Sequence, residues 1–151
     1  TSAIDKALIY AKSKGARIQS DGHHKIAIFS QSLTKQPNNE LLSVQVAHVL
    51  KESLDSFAKD KNVSFGIGIA SGEVMLDKES VNSIGTVIPQ SKKLANLAKK
   101  EILASDTLFK KVVGSIKGEK VRGTDHWRIT GVPQREQHKS FIDSFLKREK
   151  F

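Results

Sequence analysis

A chain of 151 residues with no cysteine is long enough to bury one hydrophobic core, and it excludes a disulfide framework or thiolate metal ligands. No apolar run approaches the roughly 18 residues of a membrane span and no basic-then-apolar leader is present, so the expected location is the cytoplasm. The net charge of +9 is uneven, with 16 basic and 9 acidic side chains in residues 76–151 against 9 and 7 in residues 1–75, so the second half carries the positive field.

Ser2 is a cap for a helix to residue 14, with Ile4, Ala7, Leu8 and Ala11 on one face and Gly15 as its stop. Ala16 to Ser20 and Lys25 to Ser30 read as two strands around the turn Asp21-Gly22-His23-His24. Asn38 caps the longest helix, to about Lys59, because Leu42, Val46, Val49, Leu50, Leu54 and Phe57 recur at spacings of three and four. Residues 63–71 form a strand too apolar for an exposed edge, which predicts a central place in a sheet, and Ser71 to Leu76 reads as a turn.

Pro89 suits the first turn of a helix with Leu94, Leu97 and Ala98 inward, followed by a short strand, Ile102-Leu103-Ala104. Ser105 starts another helix to about Val112. Ser115 to Arg122 and His126 to Thr130 form a second hairpin around Gly123-Thr124-Asp125. After Pro133 a final helix carries Phe141, Ile142, Phe145 and Leu146 on one stripe. The element order predicts an α+β fold with helices covering one face of a largely antiparallel sheet.

Two stretches carry a resemblance. FGIGIASGEVML, residues 65–76, resembles the GIGIHTGEV strand and turn of class III nucleotidyl cyclase domains, and SIGTVIPQSKKLANLAKKEILASDTLFKKV, residues 83–112, resembles the segment that follows it there. The resemblance covers roughly residues 2–131. It implies a ferredoxin-like α/β sandwich over residues 1–133, with residues 134–151 as an extra C-terminal helix packed on it. It also implies a first strand ahead of the first helix, bearing a metal-binding Asp. The sequence given starts at the helix, so an upstream segment or an element of a second copy is expected in that gap.

Class III cyclases join the ribose 3′-oxygen to the α-phosphate using two metal-holding carboxylates, an Asn and an Arg on a helix, a Lys and Asp pair for the purine and a basic residue for the triphosphate. Aligned on that pattern, His23 stands at the second metal Asp, and neutral imidazole is a poor ligand for Mg²⁺. Gln19 stands at the purine-reading Lys, Asn82 at its Asp partner, Pro89 at the ribose Asn and Lys93 at the transition-state Arg. Arg122 keeps the triphosphate contact. The resemblance therefore implies no catalytic residue and no metal ligand, with Arg122, Lys93, Gln19 and Asn82 left as nucleotide contacts. Mg²⁺ or Mn²⁺ enters only if the chain is an active cyclase.

Other patterns carry less. Adjacent His23 and His24 point apart on an extended chain, so they read as an exposed polar turn rather than a metal site. The glycines of Gly66-Ile67-Gly68 and Gly72 lack dinucleotide spacing and read as a close-packing device, and neither a P-loop nor a nucleophile elbow occurs. Trp127 reads as half-buried packing, with nucleic-acid stacking as its rival. The first expectation is a non-catalytic signalling domain acting as a homodimer or on another signalling protein. The alternatives are a basic domain for phosphate ligands or nucleic acid, and a divergent cyclase.

Overall fold

The computed structural model describes residues 3–61, 64–76, 81–83 and 86–133. The helix expected over residues 134–151 lies outside them. Helix α1 (Ala3–Ser13) leads to β1 (Arg17–Asp21) and β2 (His24–Ile28), a hairpin whose two-residue turn places Gly22 at φ 62°. A short helix, α2 (Gln31–Thr34), follows and was not expected from the sequence. It is too short to show a period, and it is held by the Thr34 hydroxyl, which donates to Asn39 Oδ1 at 2.6 Å.

Helix α3 (Asn39–Lys61) is capped as predicted, with Asn38 Oδ1 accepting from the Leu41 N–H at 3.1 Å. Strand β3 (Ile67–Ile69) then leads to a hairpin of β4 (Val74–Leu76) and β5 (Val81–Ser83), where the sequence predicted only a turn. Helix α4 (Val87–Leu97), strand β6 (Ile102–Ala104), helix α5 (Asp106–Val112) and the hairpin of β7 (Lys117–Lys120) and β8 (Trp127–Gly131) complete the described chain. The Ser105 cap of α5 holds, its hydroxyl accepting from the Leu108 N–H at 3.1 Å.

The result is an α+β fold, as expected, but the described strands form three sheets. β1 pairs with β2, β4 with β5, and the main sheet has the order β3-β6-β8-β7, with β3 parallel to β6 and the other pairs antiparallel. The prediction of a central β3 is corrected: among the described residues it is the outer strand of the main sheet. Its apolar run reports packing on both faces rather than pairing on both edges.

The expectation of helices on one face also fails. On one side Val44 and Ala47 of α3 and Leu108, Phe109 and Val112 of α5 pack with Ile69, Ile102 and Ala104. On the other, Leu94 and Ala98 of α4 pack on Leu103, whose side chain alternates to the opposite face. Leu97, predicted inward, is half-exposed, because the stripe that meets the sheet runs through Ser91, Leu94, Ala95 and Ala98. Among the described residues no helix is long and apolar enough to cross a membrane.

Helix α4 approaches β3 closely because Gly66 and Gly68 lack side chains. A methyl at Gly68 would overlap the backbone of Ser91 and Ala95, and one at Gly66 the carbonyls of Ala95 and Ala98. The sequence reading of a close-packing device holds, with a helix as the approaching element. Because the obstructing atoms are backbone, Gly68→Ala should lower stability by about 1–3 kcal/mol, as overpacking does. Urea unfolding of the two proteins checks this, and Gly114→Ala, where nothing lies within 4 Å, is the control.

Candidate functional site

The turn between β1 and β2 is where the sequence reading looked for metal chemistry. Asp21 instead binds Lys92 of α4, with Nζ donating to Oδ2 at 2.6 Å. That hydrogen bond, and then the positive charge of Lys92, hold the Asp21 carboxyl below its ordinary range against a small opposing cost of desolvation. His23 is exposed, as predicted. His24 is half-buried, and its Nε2 lies 2.8 Å from Asn96 Oδ1, again on α4. Among the described residues no three His, Asp or Glu side chains converge as a metal site.

The nucleotide-contact candidates are dispersed over the fold. Gln19 lies on β1 opposite Ile26, in the two-stranded sheet, and Asn82 lies on β5 opposite Met75. Lys93 is exposed on α4, and Arg122 is exposed in the turn between β7 and β8. Val121 packs on the cluster of Leu94, Ala98 and Leu103, so the end of β7 before Arg122 shares a core with the helix bearing Lys93. β1, which carries Gln19, is tied to the same helix through Asp21 and Lys92. Pro89 sits exposed in the first turn of α4, where it adds no donor.

Trp127 is a packing residue. Its ring stacks on Phe109 with centroids 4.2 Å apart and planes 7° from parallel. Its Nε1 donates to Asp106 Oδ1 at 2.9 Å, and this bond, with a second from Lys110, lowers the Asp106 carboxyl. Nearby, Arg128 donates to Glu101 and Glu119, which ties β8 to its neighbours on both sides.

The sequence analysis expected a gap in the sheet without its lining, and a cleft of about 440 Å³ lies between the hairpin sheet and the main sheet. β2 forms one side and β3 the other. Ile4 and Leu8 of α1 with Val46 and Leu50 of α3 close one face, and Val87 and Ile88 of α4 close the opposite one. One end is polar: Lys111 Nζ donates to Ser71 Oγ at 2.9 Å and lies 3.6 Å from Glu40 Oε1. Its apolar lining reads as ordinary core, so only the arrangement of the two strands exposes the space.

No protein-family model matches the chain, and no curated protein matches it in sequence. Its fold is that of nucleotidyl cyclases. It superposes on the guanylyl cyclase Cya2 with a TM-score of 0.66 at 15% identity, over 89% of this chain and 79% of that one. Against the adenylyl cyclase CyaB from P. aeruginosa the TM-score is 0.62 at 13% identity, over 89% and 82%. Against an adenylate/guanylate cyclase/hydrolase from Silicibacter pomeroyi it is 0.60 at 19% identity, over 87% and 79%. What is shared at these identities is the fold.

Because Lys92 lowers the Asp21 carboxyl in the folded chain, this pair stabilises the fold above the unfolded carboxyl pKa, and the contribution is lost as pH falls through the folded one. Asp21 should titrate by NMR below an ordinary aspartate, and Lys92→Ala should return its midpoint toward that ordinary value. An unchanged midpoint in the variant would remove the pair from solution.

Proposed function

We propose that the chain is a non-catalytic domain of the nucleotidyl-cyclase fold that works in the cytoplasm by associating with protein, as a dimer or with another signalling protein. The observation that carries this reading is the pairing of Asp21 with Lys92 at 2.6 Å. Asp21 is the carboxylate in the very turn where the resemblance calls for a metal ligand, and an ammonium group already matches its charge. A divalent cation there would meet the ammonium of Lys92, and His23, at the position aligned with the metal Asp, offers an imidazole to an ion that favours hard oxygen.

The other positions point the same way. Pro89 has no donor with which to orient a ribose, and Lys93 offers a point charge where a planar fork would span a transition state. Loss of one such transition-state contact typically costs ~10²-fold or more in rate. Protein association is supported by fold analogy alone, because fold and function separate readily.

The test is to incubate the chain with ATP or GTP and Mn²⁺ or Mg²⁺, to assay cyclic nucleotide, and to measure mass by sedimentation in the same samples. The expected result is no cyclic product at any concentration, with a dimer in the sedimentation profile. Metal-dependent cyclic product would overturn the reading and make the chain an enzyme.

A phosphate-binding reading has one specific support, the exposed Lys93 and Arg122 on adjoining elements. If it holds, ATP binding weakens steeply with added salt, and Arg122→Ala weakens it about tenfold or more, the loss of one charge-assisted hydrogen bond. Equal affinity for ATP in wild type and Arg122→Ala would exclude Arg122 as the contact.

A further inference from the structure

Helix α4 has two flanks beside the stripe that meets β3. One is taken: Lys92 and Asn96 bind Asp21 and His24 of the hairpin, and Ile88 packs on Ile26 and Ile28. At about 100° of turn per residue, Lys93 and Leu97 stand one position further round, on the flank turned away from the hairpin. Lys93 is exposed there, and Leu97, a large aliphatic side chain, keeps 50% of its surface in contact with solvent. Lys99 and Lys100 follow directly on the end of the helix, and both are exposed.

This flank is basic and its charge is uncompensated. Residues 87–100 hold four lysines and no acidic residue. The strand order β3-β6-β8-β7 puts β7 on the side of α4 away from the hairpin, and Val121 at its end packs into the cluster of Leu94 and Ala98, which brings Arg122 to the same side. Among the described residues Lys93, Lys99, Lys100 and Arg122 are in no ion pair, whereas Lys92 on the other flank is held by Asp21. Glu101, the acid next in sequence, is taken by Arg128.

We propose that this flank of α4 docks on an anionic lipid bilayer, with Lys93, Lys99, Lys100 and Arg122 on the headgroup phosphates and Leu97 entering between them. Lysines around an aliphatic side chain are the composition of a helix that lies in a membrane interface, where ammonium groups meet phosphate and hydrocarbon passes below it. Leu97 decides between the polyanions that such a charge attracts. A nucleic-acid backbone offers phosphates but no apolar layer for a leucine, and base stacking needs an open aromatic ring. Trp127, the one tryptophan, is already stacked on Phe109. The net charge of +9 adds long-range attraction to a negative surface. The inference goes beyond protein association, because it gives a cytoplasmic domain a place to concentrate, the leaflet that carries anionic lipid.

The test mixes the 151-residue chain with vesicles of phosphatidylcholine alone, or of phosphatidylcholine and phosphatidylserine in equal parts, and reads the bound fraction by flotation at low and high salt. The expected result is binding to the phosphatidylserine vesicles only, lost as salt rises. The double variant Lys99→Glu and Lys100→Glu should weaken it by about tenfold or more, since each cation at the surface carries roughly a factor of five. Leu97→Ala should weaken it by about threefold or more, as loss of buried methylene groups requires, and leave binding to a DNA duplex unchanged. The substituted side chains are exposed, and matched urea-unfolding midpoints establish that the variants are folded.

Three outcomes would overturn the proposal. Absent or equal binding to the two kinds of vesicle would remove the anionic bilayer as the partner. Binding that the double lysine variant leaves unchanged would place the contact on another surface. Vesicle binding indifferent to Leu97→Ala, or a DNA duplex bound more tightly than the vesicles at the same salt, would make the flank a polyanion surface without insertion. None of these touches the cyclic-nucleotide assay, so failure here is separable from failure of the non-catalytic reading.

Discussion

The seating of α4 on β3 is the contact on which the rest of the arrangement depends. Two missing side chains, at Gly66 and Gly68, let the helix backbone come down onto the strand, and any Cβ there would push it away. Once seated, α4 reaches past the edge of the main sheet to the hairpin. Ile88 packs on Ile26 and Ile28, Lys92 binds Asp21, and Asn96 binds His24. On this face α4 thus links two sheets that share no backbone hydrogen bond, as α3 does on the other.

The polar and apolar links in that bridge differ in kind. Asp21 and Lys92 sit near water, where an ion pair contributes little net stability because solvent screens it and two long side chains lose freedom. Burial of Ile26, Ile28, Leu94 and Ala98 removes apolar surface from water and supplies the greater part of the holding energy. The polar contacts fix register instead, since Lys92 and Asn96, four residues apart on one helix face, meet Asp21 and His24 across the hairpin turn.

Much of the fold was legible because its helices are strongly periodic. The stripe of α3, the Asn38 and Ser105 caps and the turns at Gly22 and Gly123 all follow from local chemistry that tertiary packing did not override. The errors came where local signals are silent. Helix α2 has only four residues, the β4 and β5 strands have three each, and the inward stripe of α4 is set by the glycines of another element rather than by its own leucines. The site was less legible still. His23 was placed correctly as exposed, but the partners of Asp21 and His24 lie 71 and 72 residues away in sequence, and no single-sequence pattern encodes that distance. The resemblance assigned Gln19, Asn82, Lys93 and Arg122 to one nucleotide, and among the described residues α4, which bears Lys93, meets both the strand of Gln19 and the β7–β8 hairpin of Arg122.

The edges of the main sheet show where the chain is built to meet water. The outer strand β7 reads Lys-Gly-Glu-Lys, and its charged residues are exposed. Charge at an open edge blocks pairing with other strands. The opposite outer strand, β3, reads Ile-Gly-Ile and carries no charge, with Phe65 buried just before it. If both edges faced solvent alike, the second would be an aggregation hazard that the first avoids. The contrast is between a charged edge, β7, and an apolar one, β3, whose residues are covered by helices on both faces of the sheet.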